Sequence, residues 1–587
     1  MAATGVTALL LCACAAVPGS GSVQAGKAAL TVGGQNPGFL QLIAVPPKPG
    51  WTAVQVVEGF LAASASFANG HAIAREYLDP AKRRTWDPGW AVTVVGAPKV
   101  GQAIKFAHNV GVPNNQGEKV PVTGEKLATL SDRGQYRGTT GSSTYSFRLF
   151  KIAGEWRIDN PPSRLLLTES DFKRVYTPRN LYYLAKGDQA LVPDPVFVPL
   201  QATSATLAYK LATALLQRPK GWLTDGVSAA VTGARLLGAT LNDGTATINL
   251  GGKAVQAGPA QLSYMISQLV WTLAGHSYGA SAVQSVQLEI NGHPRLPPAS
   301  LSGGRLALSV PEAPADQPLY SLAATGAVQQ RTRLAPVPRP VPGEVGEGRV
   351  PLSSIAVSPA PSSERYLAGL SPSRQVVYYG PIRRGGKLST WSVPGGGVTS
   401  MSWDVRGNLW VAAPNGVWML PPPADSGKRK AVRLDLGLPN GSVVSQLRVA
   451  PDGVRFAMIV HEPGWHGHRL LLAAIGKAPG PGPALGPSVP IGTELRHPPS
   501  QLTWYDADHL VVLSQSRTAG RQLWEVPVNG GTSTALVTES GTQSITAAGP
   551  ANPMAAGLAR GQLALESNLN GTWMPQRGTA GSPVYPG

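Results

Sequence analysis

Three short runs hold residue types that could do chemistry. Gly275-His276-Ser277-Tyr278-Gly279 has the spacing of a nucleophile elbow, where a tight turn between a strand and a following helix lifts a serine hydroxyl above a sheet. His461, Glu462, His466 and His468 crowd one loop, and clustered imidazoles suit zinc or copper. Gly380 to Lys387 loosely resembles a phosphate-binding loop. Each run fails on its context. Apolar periodicity through Leu262, Met265, Ile266, Leu269 and Val270 puts a helix before Ser277, and alternation at Val286, Leu288 and Ile290 puts a strand after it. That order is the reverse of an elbow, so Gly275 reads as a helix cap. Pro463 and Gly464 turn the histidine run into a solvated loop, without the spacing of a helical H-E-x-x-H site. Lys387 stands one place late and precedes Leu388, so the hydroxyl that would hold magnesium is missing. No paired carboxylates or triad can be placed. The chain therefore reads as non-enzymatic, with no catalytic, metal or cofactor-binding residues.

The chemistry that survives is at the cysteines. The 587-residue chain has two, Cys12 and Cys14, too few for a disulfide framework or a four-cysteine zinc site. The small, apolar run from Thr7 to Ala13 is too short to span a bilayer and has the form of an export signal. Cleavage before Cys14 leaves Leu11, Cys12 and Ala13 at −3, −2 and −1, the pattern of a bacterial lipobox, in which the cysteine thiol takes a diacylglycerol. Cleavage before Cys12 would put bulky Leu11 at −1, so Cys14 is the expected lipidation site. No Lys or Arg precedes the apolar run, and the true start is expected upstream of Met1. Ala15 to Gly34, rich in Ala, Gly, Ser and Val, reads as a flexible tether.

These residues must be carried by a large, loop-rich body. Charged residues make up 14% of the chain, against about 25% in typical soluble domains, because 69 Gly and 54 Pro crowd them out. From 51 to about 68, Val57, Phe60, Leu61 and Ser64 share one helical face, and a short second helix runs through Ile73, Tyr77 and Leu78 to Asp79-Pro80. Strand-like runs follow at 91–95, around 103–112 and at 143–152, the last pairing with 154–162 across Ala153-Gly154. Helices before an antiparallel sheet suggest an α+β cone, a shape able to hold a ligand. Between 202 and 295 the order is α-β-β-α-β, with Asn242-Asp243-Gly244 as a hairpin turn. Five prolines between Leu334 and Pro351 read as an extended linker or surface crossing. Beyond them a strand–turn–strand unit repeats. Aligning Ser358, Trp403, Ala450, Tyr505 and Gly549 gives spacings of 45, 47, 55 and 44 residues, the long interval holding a Pro/Gly insertion from Lys477 to Pro499. Repeats of roughly 40–50 residues indicate propeller blades, here five to six, with the first starting around Leu306.

The chain resembles the LpqB family of actinobacterial lipoproteins from lipobox to C-terminus. The resemblance rests on VEGFLAASASFANGHAIAREYLDPAKRRTWDP (57–88), GEWRIDNPPSRLLLTESDFKRVYTPRNLYYL (154–184) and LVPDPVFVPL (191–200). The 202–295 segment, with QLVWTL at 268–273, resembles the GerMN domain of spore germination proteins. The expected organisation is a lipoprotein signal peptide at 1–13, lipidated Cys14 with its tether at 14–38, and an N-terminal α+β domain at 39–200. A GerMN-like domain at 201–295, a Pro-rich connection at 296–350 that could hold the first propeller strands, and a β-propeller at 351–587 complete it.

The resemblance implies a non-enzymatic envelope lipoprotein that modulates the MtrB sensor kinase, and so the MtrAB two-component system governing wall growth and division. Its expected partners are the extracellular domain of that kinase and the lipid bilayer, reached through acylated, palmitate-bearing Cys14 on the extracytoplasmic face. The competing expectation is a module binding envelope glycan or anionic wall polymer. A formal charge of +18, spread along the chain, suits an anionic envelope, and nucleic acid is not an expected partner outside a cell. Trp403, Trp410, Trp418, Trp504 and Trp524 sit in strand-like runs and are expected in the core. Trp465 and Trp573 fall in Gly/Pro-rich turns, where ordinary loop aromatics are the favoured reading and stacking on sugars the alternative.

Overall fold

The computed structural model describes residues 44–587 except for 90, 108–115, 140, 188–189, 201–203, 218, 220, 275–282, 304–305, 360–363, 423–429, 465–466, 478–481, 517–519, 567–570 and 577–580. These residues fall in a single compact unit made of three successive parts, two mixed α/β domains and a propeller.

The first core lies between helices and a curved sheet. Thr52 caps α1 (Ala53–Ser64) in a reciprocal box with Gln55, satisfying two backbone donors that a helix start leaves open. Val56, Val57, Phe60 and Ala63 of α1 are buried on the core side. Two short helices follow, α2 (Ala72–Glu76) and α3 (Pro80–Thr85). The sheet comprises β1 (Val92–Val100), β2 (Ile104–Ala107), β3 (Gln116–Leu130), β4 (Tyr136–Gly138), β5 (Ser142–Ile152), β6 (Glu155–Ile158) and β7 (Leu165–Thr168). Its order is β6-β5-β3-β1-β7, antiparallel except for the parallel β1–β7 pair, and β2 and β4 flank β3. Phe147 and Leu149 alternate inward on β5, and Phe60 packs edge-on to Phe147 at 5.8 Å. Helix α4 (Glu169–Val175) follows β7 directly, capped by Thr168.

The second core takes in more chain than the 201–295 segment. Strands β8 (Tyr176–Ala185) and β9 (Leu191–Pro199) form a nine-pair hairpin. Val192, Val196 and Val198 enter a core with Leu207 and Leu211 of α5 (Ser204–Leu216) and with Met265, Leu269 and Val270 of α6 (Pro259–Leu273). The sequence places this hairpin at the end of the first domain, but its packing joins it to the helices of the second. The two-residue strand β10 (Val227–Ser228) extends the hairpin. The remaining sheet is β11 (Ala234–Asn242), β12 (Thr245–Gly252), β13 (Ser285–Ile290) and β14 (His293–Pro294) in that order, with α6 crossing between the parallel β12 and β13. Asp243 (φ 47°) and Gly244 (φ 77°) make the predicted hairpin turn.

The rest is a ring of six antiparallel sheets, covering 319–340, 354–392, 400–434, 443–491, 499–536 and 542–576 and called here blades one to six. Six is the upper of the expected numbers. Blade one lies inside the expected Pro-rich connection, so that stretch is packed rather than extended. Its prolines occupy turns and the outer edge strand, Arg339–Pro340, where a missing N–H costs little. Gly346 is required there, because a Cβ would lie 1.7 Å from the Val341 carbonyl oxygen. The chain end closes the ring. Val584 exchanges backbone hydrogen bonds of 2.9 and 2.8 Å with Tyr320 of blade one, and the Tyr585 N–H donates to Thr546 of blade six.

Candidate functional site at the domain seam

The three cores meet along a closely fitted seam. A turn at 131–135 from the first domain presses on β9: the Gly134 carbonyl accepts the Phe197 N–H at 2.7 Å, and Phe197 itself packs into the first core. Gly134 has φ +80°, and a Cβ there would lie 2.5 Å from the Phe197 oxygen. On the propeller side, a loop of the second domain wedges against blade four. Cβ atoms at Gly226, Gly476 and Gly486 would come within 3.1, 2.8 and 2.8 Å of backbone oxygens across that contact. Real Cβ atoms almost never approach as closely as at Gly476 and Gly486, and the Gly226 contact is tight, so these glycines let the two backbones touch.

Polar groups are concentrated where the seam is deepest. The turns joining the first two strands of blades three, four and five carry Asp404, Asp452 and Asp506, each accepting backbone N–H groups of its own turn. In blade four Asp452 also pairs with Arg455 at 2.6 Å, with both side chains almost fully buried. Arg455 donates a second bond to the Ala507 carbonyl at 2.7 Å and lies 5.1 Å over the Trp504 ring, while its Nη1 has no partner. Asn180 of β8 reaches across to Asp508, donating at 2.9 Å to both carboxylate oxygens. Burial raises the Asp508 carboxyl above its ordinary range, against the pull of Arg455. Burial alone would lower His509, but the Asp506 carboxylate at 3.0 Å more than offsets it and His509 is raised.

Asp194 is the most isolated charge in the seam. It stands in β9, 3% exposed, and accepts a 3.2 Å hydrogen bond from Gln135 of the first domain. Burial pushes its carboxyl up to about 7, with the Gln135 hydrogen bond and the Arg455 charge pulling the other way. Asp194 and Gln135 border a cavity of about 310 Å³ to which all three domains contribute. A neighbouring cavity of about 320 Å³ shares Tyr136 and is floored by Phe172, Tyr176 and Phe197. Burial pushes the Tyr136 hydroxyl up to about 12.

The residues singled out in the sequence lie elsewhere. Cys14, the predicted lipidation site, and the Gly275–Gly279 run lie outside the described residues, as do Trp465 and His466. His461 and His468 approach each other, their rings 5.6 Å apart, and His461 Nδ1 is 3.1 Å from the Gly467 carbonyl oxygen. Glu462 is occupied by Arg469 at 2.7 Å. Among the described residues no three potential ligands gather to hold a metal. Gly380 to Lys387 connects two strands of blade two, not a strand to a helix. Trp403, Trp410, Trp418 and Trp504 are buried as expected. Trp573 lies in a strand rather than in the expected turn. It begins the outer strand of blade six, 8% exposed, with its indole N–H on the Val537 carbonyl at 3.0 Å, so it offers no face to a sugar. Nothing in the sequence singled out Arg137, Arg164 or Arg455. Asp194 left a trace as the one charge in LVPDPVFVPL.

A small α/β domain fitted between an α+β domain and a propeller defines a multidomain protein. Residues 46–173 match the family model "Lipoprotein LpqB, N-terminal domain", 180–296 match "Sporulation and spore germination", and 333–586 match "Lipoprotein LpqB beta-propeller domain". The "Lipoprotein LpqB" of Thermobifida fusca is 30% identical over 100% of this chain and 98% of its own length. That of Streptomyces coelicolor is 29% identical over 99% and 96%. The chain belongs to the LpqB lipoprotein family. Among solved structures it is similar to a streptogramin B lyase (14% identity, 45% of this chain and 83% of that one, TM-score 0.28). It is also similar to the first GerMN domain of the sporulation protein GerM from Bacillus subtilis (22%, 20% and 86%, TM-score 0.16). Likeness at that level transfers no activity. Among the described residues no helix is long and apolar enough to cross a membrane.

Proposed function

We propose that this chain is a lipid-anchored accessory protein on the extracytoplasmic face of the membrane, that it is not an enzyme, and that it modulates a sensor kinase of the MtrB type by docking on the kinase's extracellular domain. The observation that carries this reading is the fitted seam, where paired glycines and buried polar contacts hold three domains in one arrangement. Such a body presents a composite surface of fixed geometry, which suits recognition of a folded partner. Acylation of Cys14, with diacylglycerol and palmitate supplying several chains, gives stable anchoring where one chain would be marginal. Anchoring raises the local concentration beside the kinase, so a weak contact suffices. The rival reading, a wall-polymer-binding module, keeps the basic excess but loses Trp573 as a stacking platform.

Two experiments test the proposal. Cys14→Ser should release a folded protein from the membrane and abolish its effect on kinase output; normal signalling by the released protein would refute the tether. In parallel pull-downs, the kinase ectodomain should capture the chain and purified wall polymer should not. The opposite outcome would favour the rival.

A further inference from the structure

The seam cavity stands apart from the way the seam is otherwise packed. Around it, at Gly134, Gly476 and Gly486, opposing surfaces approach until no Cβ fits, so an opening of about 310 Å³ is not a sign of loose docking. Its size lies at the lower end of the roughly 300–1,000 Å³ typical of small-molecule sites. Its walls are chemically uneven. Arg137 of β4 and Arg164, just before β7, are exposed at its border, and neither side chain makes a hydrogen bond or ion pair among the described residues. Deeper in are Gln135, the buried Asp194 and Ser131, whose hydroxyl oxygen already accepts the Arg133 and Gln135 N–H groups at 3.3 and 3.1 Å. The Ser131 proton is therefore available to a ligand acceptor. Half-buried Trp222 adds an apolar face, and strands and turns of blades four and five complete the wall.

We propose that this cavity binds the phosphate ester of a small polyol or sugar, with the phosphate held by Arg137 and Arg164 and the hydroxyl-bearing body by Ser131, Gln135 and Asp194. The orientation follows from burial. Two unpaired guanidinium groups at the border form forks suited to phosphate oxygens. A carboxyl in the depth would repel an anion but can hydrogen-bond hydroxyls in either protonation state. Trp222 suits the C–H face of a sugar or polyol. Because the walls come from all three domains, a bound molecule would bridge them. The inference rests on the seam geometry alone and stands whether or not a kinase is the partner.

The test is calorimetric titration of the full chain in detergent with glycerol 3-phosphate, glucose 6-phosphate, inorganic phosphate, glucuronate and glycerol. The phosphate esters should bind, inorganic phosphate at least ten-fold more weakly, and glycerol not at all. Arg137→Ala with Arg164→Ala, two exposed positions where folding should survive, should weaken ester binding at least ten-fold. Asp194→Asn should shrink the preference for ester over inorganic phosphate. Four outcomes would overturn the proposal: no binding by either ester, equal binding of ester and inorganic phosphate, a preference for glucuronate, or ester binding unchanged in the double arginine variant. Preferential binding of a phosphate-bearing wall polymer over both small esters would also overturn it.

Discussion

Replacing Asp194 by asparagine removes a buried carboxyl that has no ion-pair partner among the described residues, while preserving shape and the ability to accept the Gln135 hydrogen bond. The carboxyl rises from 3.8 to about 7 on folding, with burial as the main cause. Each pKa unit corresponds to about 1.36 kcal/mol, so a shift of about three units is worth on the order of 4 kcal/mol. The raised value means the folded state binds the proton more tightly. Below about pH 3.8 both states carry it and burial costs little; as pH climbs towards 7 the unfolded chain ionises freely, the folded one cannot, and stability falls. Asp194→Asn is exempt from this penalty. It should exceed the parent by about 2–4 kcal/mol at pH 8, with the gain falling to about 1 kcal/mol at pH 4.5. Urea unfolding at both pH values, followed by tryptophan fluorescence, reads the difference as a shift in midpoint. An equal shift at the two pH values, or a variant less stable than the parent at pH 8, would refute the reasoning. The second result would mean that Arg455 supports an ionised Asp194.

The remaining predictions concern the scaffold. Asp452→Ala strands a buried guanidinium and should cost about 3–5 kcal/mol in urea unfolding, whereas the Asp452→Ala, Arg455→Met double variant should cost clearly less than the two single changes added together. Gly134→Ala, at φ +80° and against the Phe197 oxygen, should cost about 2–3 kcal/mol and expose the seam to limited proteolysis before the propeller core. Ending the chain after residue 580 removes Val584 and buried Tyr585 from the ring closure and should lower the melting temperature by at least about 10 °C in calorimetry.

How much of this could be read from the sequence depends on the range of the interactions. The blades were legible because each restarts locally with an apolar inner strand and a turn, and Asp404, Asp452 and Asp506 recur in that turn. The β5–β6 and β11–β12 hairpins were legible for the same reason, since Ala153-Gly154 and Asp243-Gly244 supply the positive φ angles their turns need. The allegiance of β8 and β9 was not legible. Strand β9 is buried throughout, sending Phe197 into the first core and Val192, Val196 and Val198 into the second, so it carries no alternation to say which domain owns it. Blade one was only partly legible, since its prolines normally mark loops although a first blade from about Leu306 was expected, and Trp573 was masked by a flanking turn. The seam site was least legible of all. Gln135 and Asp194 lie 59 residues apart, and Asn180 and Asp508 lie 328 apart, so only the packing of three domains brings them together.

The central claim is that a membrane-tethered body of fixed shape works by contacting a kinase ectodomain. In-cell crosslinking from the mature protein, with mass spectrometry of its neighbours, tests this most directly. Crosslinks should join one consistent patch of residues 44–587 to the extracellular domain of a sensor kinase and should be lost in Cys14→Ser. Neighbours that are only wall-polymer components, or kinase crosslinks that persist undiminished in Cys14→Ser, would contradict it.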